Sequence, residues 1–274
     1  MFYHFLIDHG EGFFDPQIKN KLVIKDVKRE MPQYEVDYEE FAGSNGQRPA
    51  NSSFQPFNIT LSVDIFFNNL YDKALMQREL ANLFFPGQEY YVAWEEYPGI
   101  KFCVNPTSLE EDDQEANDFT TWDLELTVFR ACGESFSSTL SDFSLDEEWQ
   151  FSQGLVAEDY EYTFTHSRFI VFNAGDFTID PREHYLNIKV EGSSDGELTV
   201  NNKTTKERFI YKPTLRSRTG DWLDLNGVYP KKNGVNCGID TNHGLISLVP
   251  GINEIEIQNV NEIRTSWDFN FLYK

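Results

Sequence analysis

Few residues of this sequence have the types and spacing that covalent catalysis requires. Residues 234–238 read Gly-Val-Asn-Cys-Gly, which has the glycines of a nucleophile elbow but places asparagine at its centre and the Cys237 thiol one position late. The sequence contains neither an H-E-x-x-H zinc motif nor a Walker phosphate loop, and His4 and His9 lack the spacing of a helical ligand pair. Cys237 is therefore interpreted as a small buried thiol in a turn. No catalytic or cofactor-binding residue is predicted, and no cofactor.

Clustered carboxylates could bind a cation or hydrolyse a glycoside. Residues 110–115 read Glu-Glu-Asp-Asp-Gln-Glu, and carboxylate oxygens are the ligands that Ca²⁺ prefers. The run lacks the alternating D-x-D spacing and the glycine of a calcium loop, so a self-repelling surface loop is the main interpretation. The alternative is a metal site at Glu110, Glu111, Asp112 and Asp113. A glycosidase also stays open, because 45 acidic residues guarantee some close carboxylate pairs.

Aromatic residues in the last third of the chain could stack on the apolar faces of sugar rings. Trp222 and Tyr229 lie among turn residues and are the candidates for a carbohydrate contact. Trp267 alternates with Phe269 and Phe271 at a period of two. Its indole is therefore predicted to be buried in a core.

Charge and composition exclude several classes of partner. The net charge of −22 argues against nucleic-acid binding, because phosphate contacts need Lys and Arg. The three cysteines have no metal-ligand spacing and are typical of a protein made in a reduced cytoplasm. No membrane span and no secretory signal are expected. Acidic residues dominate 89–148 and basic residues dominate 203–232, which indicates either two solvated domain surfaces or opposite patches that meet between domains or subunits.

The first half of the chain is predicted to form strands around one helix. Residues 57–65 alternate apolar and polar side chains, as in a strand with one buried face. Residues 43–53 are polar and rich in turn formers, which predicts a loop. Residues 68–84 have helical periodicity, and Pro86-Gly87 would end that helix. Further strands are predicted at 22–24, 90–94, 100–104 and 119–130.

The composition becomes rich in Ser and Gly after residue 131, which predicts a domain boundary. We expect an N-terminal domain over residues 1–145, a linker over 146–160 with a helical turn at 145–150, and a C-terminal domain over 161–274. In that last part, short strands separated by turn signals predict a β-sandwich. They are expected at 162–164, 169–172, 185–190, 198–200, 208–211, 245–248, 255–257 and 267–273. The predicted fold class is mainly β with one long helix: an α+β domain followed by a β-sandwich.

Four motifs of the second half, in this order, resemble the galectin-like C-terminal sandwich of the distal tail proteins (Dit) of long-tailed phages that infect Gram-positive bacteria. The motifs are Asn173-Ala174-Gly175-Asp176, Pro181 leading to Ile188-Lys189-Val190, Asn202-Lys203-Thr204-Thr205, and Pro250-Gly251-Ile252-Asn253-Glu254-Ile255. The first half is similar to the ring-forming N-terminal domain of that family in the order of its strands, its Gly-Ser-Asn-Gly turn and its helix. The resemblance covers nearly the whole chain.

The resemblance implies a structural protein of the virion, made in the host cytoplasm, whose hexameric ring joins the tail tube to the baseplate or tail tip. The implied partners are a tail-tube protein, a tail-tip or tail-associated protein and a receptor-binding protein. Loops 43–53 and 106–118 would reach neighbouring subunits or the adjoining ring, with Gly43, Asn45, Gly46 and Arg48 as candidate contacts. Part of the acidity of residues 89–148 is expected to face a DNA channel, since like charge keeps phosphates from binding. The alternatives are a module that binds host-wall carbohydrate and a wall glycosidase.

Overall fold

The computed structural model describes residues 4–18, 21–43, 45–115, 118–141, 160–216 and 220–274. The chain divides into two compact units, residues 1–134 with residue 274, and residues 135–273. Most of the predicted linker and its helical turn at 145–150 lie outside the described residues. The domain limits at 145 and 161 therefore stay predictions.

The N-terminal unit is an antiparallel sheet with one helix. Its elements are β1 (Phe5–Asp8), a 3-10 turn (Pro16–Ile18), β2 (Leu22–Arg29), β3 (Tyr34–Glu40), β4 (Gln47–Phe54), β5 (Phe57–Phe66), α1 (Leu70–Phe84), β6 (Tyr90–Trp94), β7 (Ile100–Glu115), β8 (Phe119–Val128) and β9 (Gly133–Ser135). The main path through the sheet runs β1-β6-β7-β8-β5-β2, while β3 and β4 pair only with each other as a separate ribbon. The mainly β fold class with one long helix is confirmed among the described residues.

Strand β5 forms the centre of this core, as its alternation predicts. Ile59, Leu61 and Val63 are fully buried, and the intervening residues point to the other face. Helix α1 covers the apolar side with Met76 and Leu80, among others. It begins after Asn69, whose side-chain oxygen accepts the backbone N–H groups of the first turn at 3.0 Å, a standard N-cap. The predicted helix and the strands at 57–65 and 90–94 are thereby confirmed.

Two predicted loops of the N-terminal unit are wrong. Residues 47–53 belong to strand β4, and residues 106–115 continue strand β7, with Ser108–Glu111 paired to β8. Both segments are polar, so neither shows the alternation of a half-buried strand. They are strands because the neighbouring strand of each hairpin, β3 for the first and β8 for the second, supplies the backbone partners, and because solvent-facing strands tolerate charged side chains.

The C-terminal unit is built from two antiparallel sheets. Its elements are β10 (Thr163–Phe164), β11 (Arg168–Asn173), β12 (Leu186–Ser193), β13 (Leu198–Asn202), β14 (Glu207–Tyr211), β15 (Trp222–Asn226), β16 (Tyr229–Lys232), β17 (Val235–Asn236), a 3-10 turn (Gly238–Asp240), β18 (Gly251–Gln258), β19 (Asn261–Phe269) and β20 (Leu272–Tyr273). One sheet has the order β10-β19-β12-β15-β16-β17 and the other β11-β18-β13-β14. The Phe169 ring of one meets the Trp267 ring of the other at 5.9 Å, so the sheets pack face to face as the predicted sandwich. Trp267 is fully buried, as predicted.

The asparagines of the sequence motifs fasten one extended segment of this sandwich. The side-chain amides of Asn173 and Asn202 donate to the carbonyls of Leu248 (3.0 Å) and Ser247 (2.8 Å). Asn253 accepts from the N–H of Val249 at 3.0 Å and donates to its carbonyl at 2.8 Å. The strand predicted at 245–248 is therefore wrong. The segment is extended, but buried side-chain amides, rather than a neighbouring strand, make most of the hydrogen bonds to its backbone. One β-bridge remains, between Ile179 and Leu248.

Within the described part of the chain, no helix is long and apolar enough to cross a membrane.

Candidate interaction surfaces

The ribbon of β3 and β4, which we call the arm, is exposed on both faces. Every residue of β3 except Val36 and every residue of β4 except Phe54 is exposed. Tyr34 and Tyr38 lie on the same face of β3, with 57% and 59% of their surfaces accessible. A two-stranded ribbon of this kind is marginally stable by itself in water. The arm is therefore suited to packing against another surface.

The tip of the arm carries the four residues predicted as subunit contacts. Gly43 and Gly46 have φ angles of +83° and +81°, a left-handed backbone that favours glycine. Asn45 lies between them, and the Arg48 guanidinium stacks 5.3 Å from the centre of the Phe41 ring. The structure places all four at the exposed end of one hairpin. Their role in a contact stays a prediction.

The outward side of β7 and β8 carries an acidic face, which we define as Glu110, Asp123 and Glu125. Glu110 lies directly opposite Asp123 across the strand pair, and Glu125 follows Asp123 by two residues on the same side. Their neighbours are polar: the Ser62 hydroxyl donates to Asp123 at 2.5 Å, and the Asn58 amide donates to Glu125. Opposed like charges weaken a sheet. The pairing of Glu110 with Asp123 therefore does not stabilise the sheet.

The structure separates the carboxylates proposed as metal ligands. Glu110 and Glu111 are consecutive strand residues and point to opposite faces. Glu111 is instead held by the Lys73 ammonium at 2.5 Å and by the Thr120 hydroxyl at 2.9 Å. Asp112 is exposed, and the Asp113 side chain lies outside the described residues. Among the described residues, no three His, Cys, Asp or Glu side chains converge on one metal position.

Trp222 and Tyr229 lie in paired strands, not among turn residues as the sequence indicated. Tyr229 is opposite Asn226 in the β15–β16 ladder, so both aromatic residues face outward. They are four positions apart along the ladder, which is about 13 Å. The Trp222 ring lies 5.4 Å from the Lys189 ammonium. One sugar ring cannot contact both aromatic side chains.

Tyr229 instead borders an open groove of about 290 Å³ at the edge of the sandwich. Phe209 of β14 and Leu245 line it, together with Asn236 of β17 and His243. The sequence signal for this groove was the cluster of turn formers at 233–244. Its lining residues come from segments up to 36 positions apart, so their spacing in the sequence does not predict that they lie together.

The three cysteine thiols are free and buried. Burial raises the pKa of Cys103 to about 11 and that of Cys132 to about 12, and it also raises the pKa of Cys237. A thiol must ionise to act as a nucleophile, so all three are poor nucleophiles at neutral pH. The interpretation of Cys237 as a small buried thiol agrees with this environment.

Comparison with known proteins finds a family match within the N-terminal unit. Residues 17–128 match the sequence model of the phage tail protein RIFT-related domain. No curated protein matches the chain.

A solved structure of 11% identity shares the fold over nearly the whole chain. The crystal structure of the Dit protein of phage SPP1, described as a paradigm of the hub adsorption apparatus in phages infecting Gram-positive bacteria, matches with a TM-score of 0.71. It is 11% identical and covers 99% of this chain and 100% of its own. A chain of the phage P2 baseplate in its activated conformation with Ca is 8% identical, covers 99% of this chain and 98% of its own, and has a TM-score of 0.48. The resemblance to the distal tail proteins indicated by the sequence motifs is confirmed.

Proposed function

Because the chain carries a phage tail protein RIFT-related domain within the fold of a distal tail protein, we propose that it is a ring adaptor of a phage tail. Six copies would form the ring, which joins the tail tube to the baseplate or tail tip. The observation that carries this proposal is the arm on the RIFT-related domain, a two-stranded ribbon that is exposed on both faces.

The arm would supply the contact between neighbouring subunits. In a ring, each copy presents one surface to the next copy and receives a different one in return, and the rotation closes the assembly. The arm's tip, with Gly43, Asn45, Gly46 and Arg48, would reach the next subunit. The exposed rings of Tyr34 and Tyr38 would then be buried, which supplies the apolar area that such contacts need.

The acidic face would line the channel through which DNA passes. A surface of three carboxylates among hydroxyl and amide groups repels phosphates. The assignment concerns only those acidic residues of 89–148 that lie on the outward side of β7 and β8. A ring structure in which Glu110, Asp123 and Glu125 point away from the central axis would contradict it.

The C-terminal sandwich would dock other baseplate proteins. Under this proposal the partners are the tail-tube protein, a tail-tip or tail-associated protein and a receptor-binding protein. The protein would be made in the host cytoplasm and end in the virion. Its role is structural rather than enzymatic, in agreement with the poor nucleophilicity of all three thiols.

Site-specific photo-crosslinking tests the ring. A benzophenone amino acid placed at Asn45 should give covalent species up to six subunits in purified tails, and peptide mapping should place the acceptor on a neighbouring copy. The matched control is the same probe at Val235, which is exposed in the C-terminal unit. The proposed contact would be contradicted if the probe at Val235, but not the one at Asn45, gave crosslinked oligomers. It would also be contradicted if the probe at Asn45 gave adducts only within one chain. Electron microscopy of the tail counts the subunits.

A further inference from the structure

The groove beside Tyr229 is an open surface groove of the C-terminal unit whose lining has no fixed charge. None of its ten described lining residues is Lys, Arg, Asp or Glu. The adjoining pocket, lined by Pro181 and Ile246 among others, is likewise uncharged, whereas pockets elsewhere in the unit contain Glu197 with Lys212, or Arg168 with Glu254. In a chain with 68 charged side chains among 274 residues (45 acidic and 23 basic), an uncharged lining favours a neutral ligand.

The lining combines an aromatic wall with polar groups that are available to a ligand. Tyr229 is 66% exposed at the rim, and Phe209 forms a buried part of the floor. Within the described residues, no side-chain hydrogen bond engages the Tyr229 hydroxyl, the Asn236 amide or the His243 imidazole. The hydroxyl of Thr241, by contrast, donates to the carbonyl of Gly238 at 2.8 Å and accepts the N–H of His243 at 3.1 Å. Three polar side chains thus remain for a ligand.

The loop that carries His243 is held rigidly on strand β14. Asn242 accepts the N–H of Ile210 at 2.8 Å and donates to the carbonyl of Arg208 at 3.0 Å. Gly244 packs so closely that an added Cβ would lie 1.9 Å from the Arg208 carbonyl oxygen. His243 adopts a left-handed backbone with φ of +55°, which is uncommon for a residue with a side chain. The imidazole is therefore displayed from a fixed position at the groove.

We propose that this groove binds a neutral pyranose, that is, one or two rings of an uncharged saccharide. A pyranose has an apolar C–H face, which can stack on the Tyr229 ring, and a rim of hydroxyls, which can bond to Asn236 and His243. The volume of about 290 Å³ is near the lower end of ligand pockets, so it suits one or two rings. Trp222 does not line this groove. The proposed function as a ring adaptor does not depend on sugar binding at the groove.

Saturation-transfer NMR on the full chain tests the site. The probes are methyl α-D-glucopyranoside, N-acetyl-D-glucosamine and L-rhamnose at millimolar concentration, with D-glucuronate as the charged comparison. We expect saturation of at least one neutral sugar and a weaker signal from glucuronate. Tyr229→Ala should weaken binding on the order of tenfold, because an aromatic contact is lost. Tyr229→Phe should retain binding within about threefold, because the ring stays.

Trp222→Ala is the matched control, since it removes an aromatic residue from the other end of the same hairpin. Thermal unfolding of each variant shows that the sandwich is intact. The proposal is overturned if no neutral sugar is saturated, if Tyr229→Ala binds like the wild type, or if Trp222→Ala abolishes binding. It is also overturned if a proline-rich peptide binds the groove and none of the neutral sugars does.

Discussion

Substitution of Tyr38 by serine should weaken assembly without weakening the fold. Tyr38 is 59% exposed on the arm, and its ring has no aromatic or hydrogen-bond partner among the described residues. A tyrosine offers about 200 Å² of surface, so roughly 120 Å² of this ring would be buried at a subunit contact. At about 25 cal/mol per Å² this burial contributes at most ~3 kcal/mol. Ordering of the arm on assembly offsets part of that gain.

The expected result is an association constant lowered by about 10- to 100-fold per contact. Sedimentation velocity over a concentration series measures it. The series is run at about 1 M salt, where the Debye length of about 3 Å screens the repulsion between subunits of charge −22. If the wild type stays monomeric there, incorporation into assembled tails is compared instead. The thermal midpoint of the monomer should not change.

Tyr185→Ser is the control, because it removes a half-exposed tyrosine from the C-terminal unit. Its assembly should match the wild type, although it loses a 2.8 Å hydrogen bond to Asp268. An unchanged association constant for Tyr38→Ser would refute the role of the arm. An equal loss in both variants would show a general effect of removing tyrosine.

Three further predictions concern stability. Asn253→Ala should lower the free energy of unfolding of the C-terminal unit by about 2–4 kcal/mol, because the backbone N–H and carbonyl of Val249 lose the partner that the fully buried Asn253 side chain supplies; urea unfolding measures it. Lys73→Met should cost about 1–3 kcal/mol by leaving Glu111 half-buried without its cation, and adding Glu111→Leu should recover part of that loss in a double-mutant cycle. Hydrogen bonds from Asn233 and then Lys232 lower the pKa of the Asp221 carboxyl from 3.8 to about 2, so its stabilising contribution is complete above pH 4 and is lost as the pH falls towards 2. Acid unfolding of Asp221→Asn should therefore have a shallower slope in that window.

Each of these has a comparison that isolates the cause. Ile252→Ala, at the exposed neighbour of Asn253, should change stability by less than about 1 kcal/mol. Additive effects of Lys73→Met and Glu111→Leu would show that the ion pair contributes nothing. If the acid unfolding transition of Asp221→Asn overlaid that of the wild type, the Asp221 carboxyl would not contribute to the pH dependence of stability.

Local patterns predicted the elements whose burial is visible in one segment. The alternation of β5 and the period of α1 each reflect one face in contact with a core, so 57–65 and the helix were recognisable before any partner was known. Trp267 followed from the same rule. Strand β4 and the distal part of β7 are polar on both faces and show no such pattern. Their strand conformation depends on backbone pairing with β3 and β8.

The sequence by itself determined the mainly β fold, the single long helix and the absence of a catalytic motif, because these follow from residue types and periods. Only the tertiary structure decided which residues lie together. It moved Glu111 to the helix side and Glu110 to the acidic face, and it made residues 47–53 one strand of an arm. It also separated Trp222 from Tyr229 and brought His243 to the latter. The physical reason is that the register of two strands decides which side chains share a face and lie opposite each other, and a polar strand carries no hydrophobic alternation from which that register could be read.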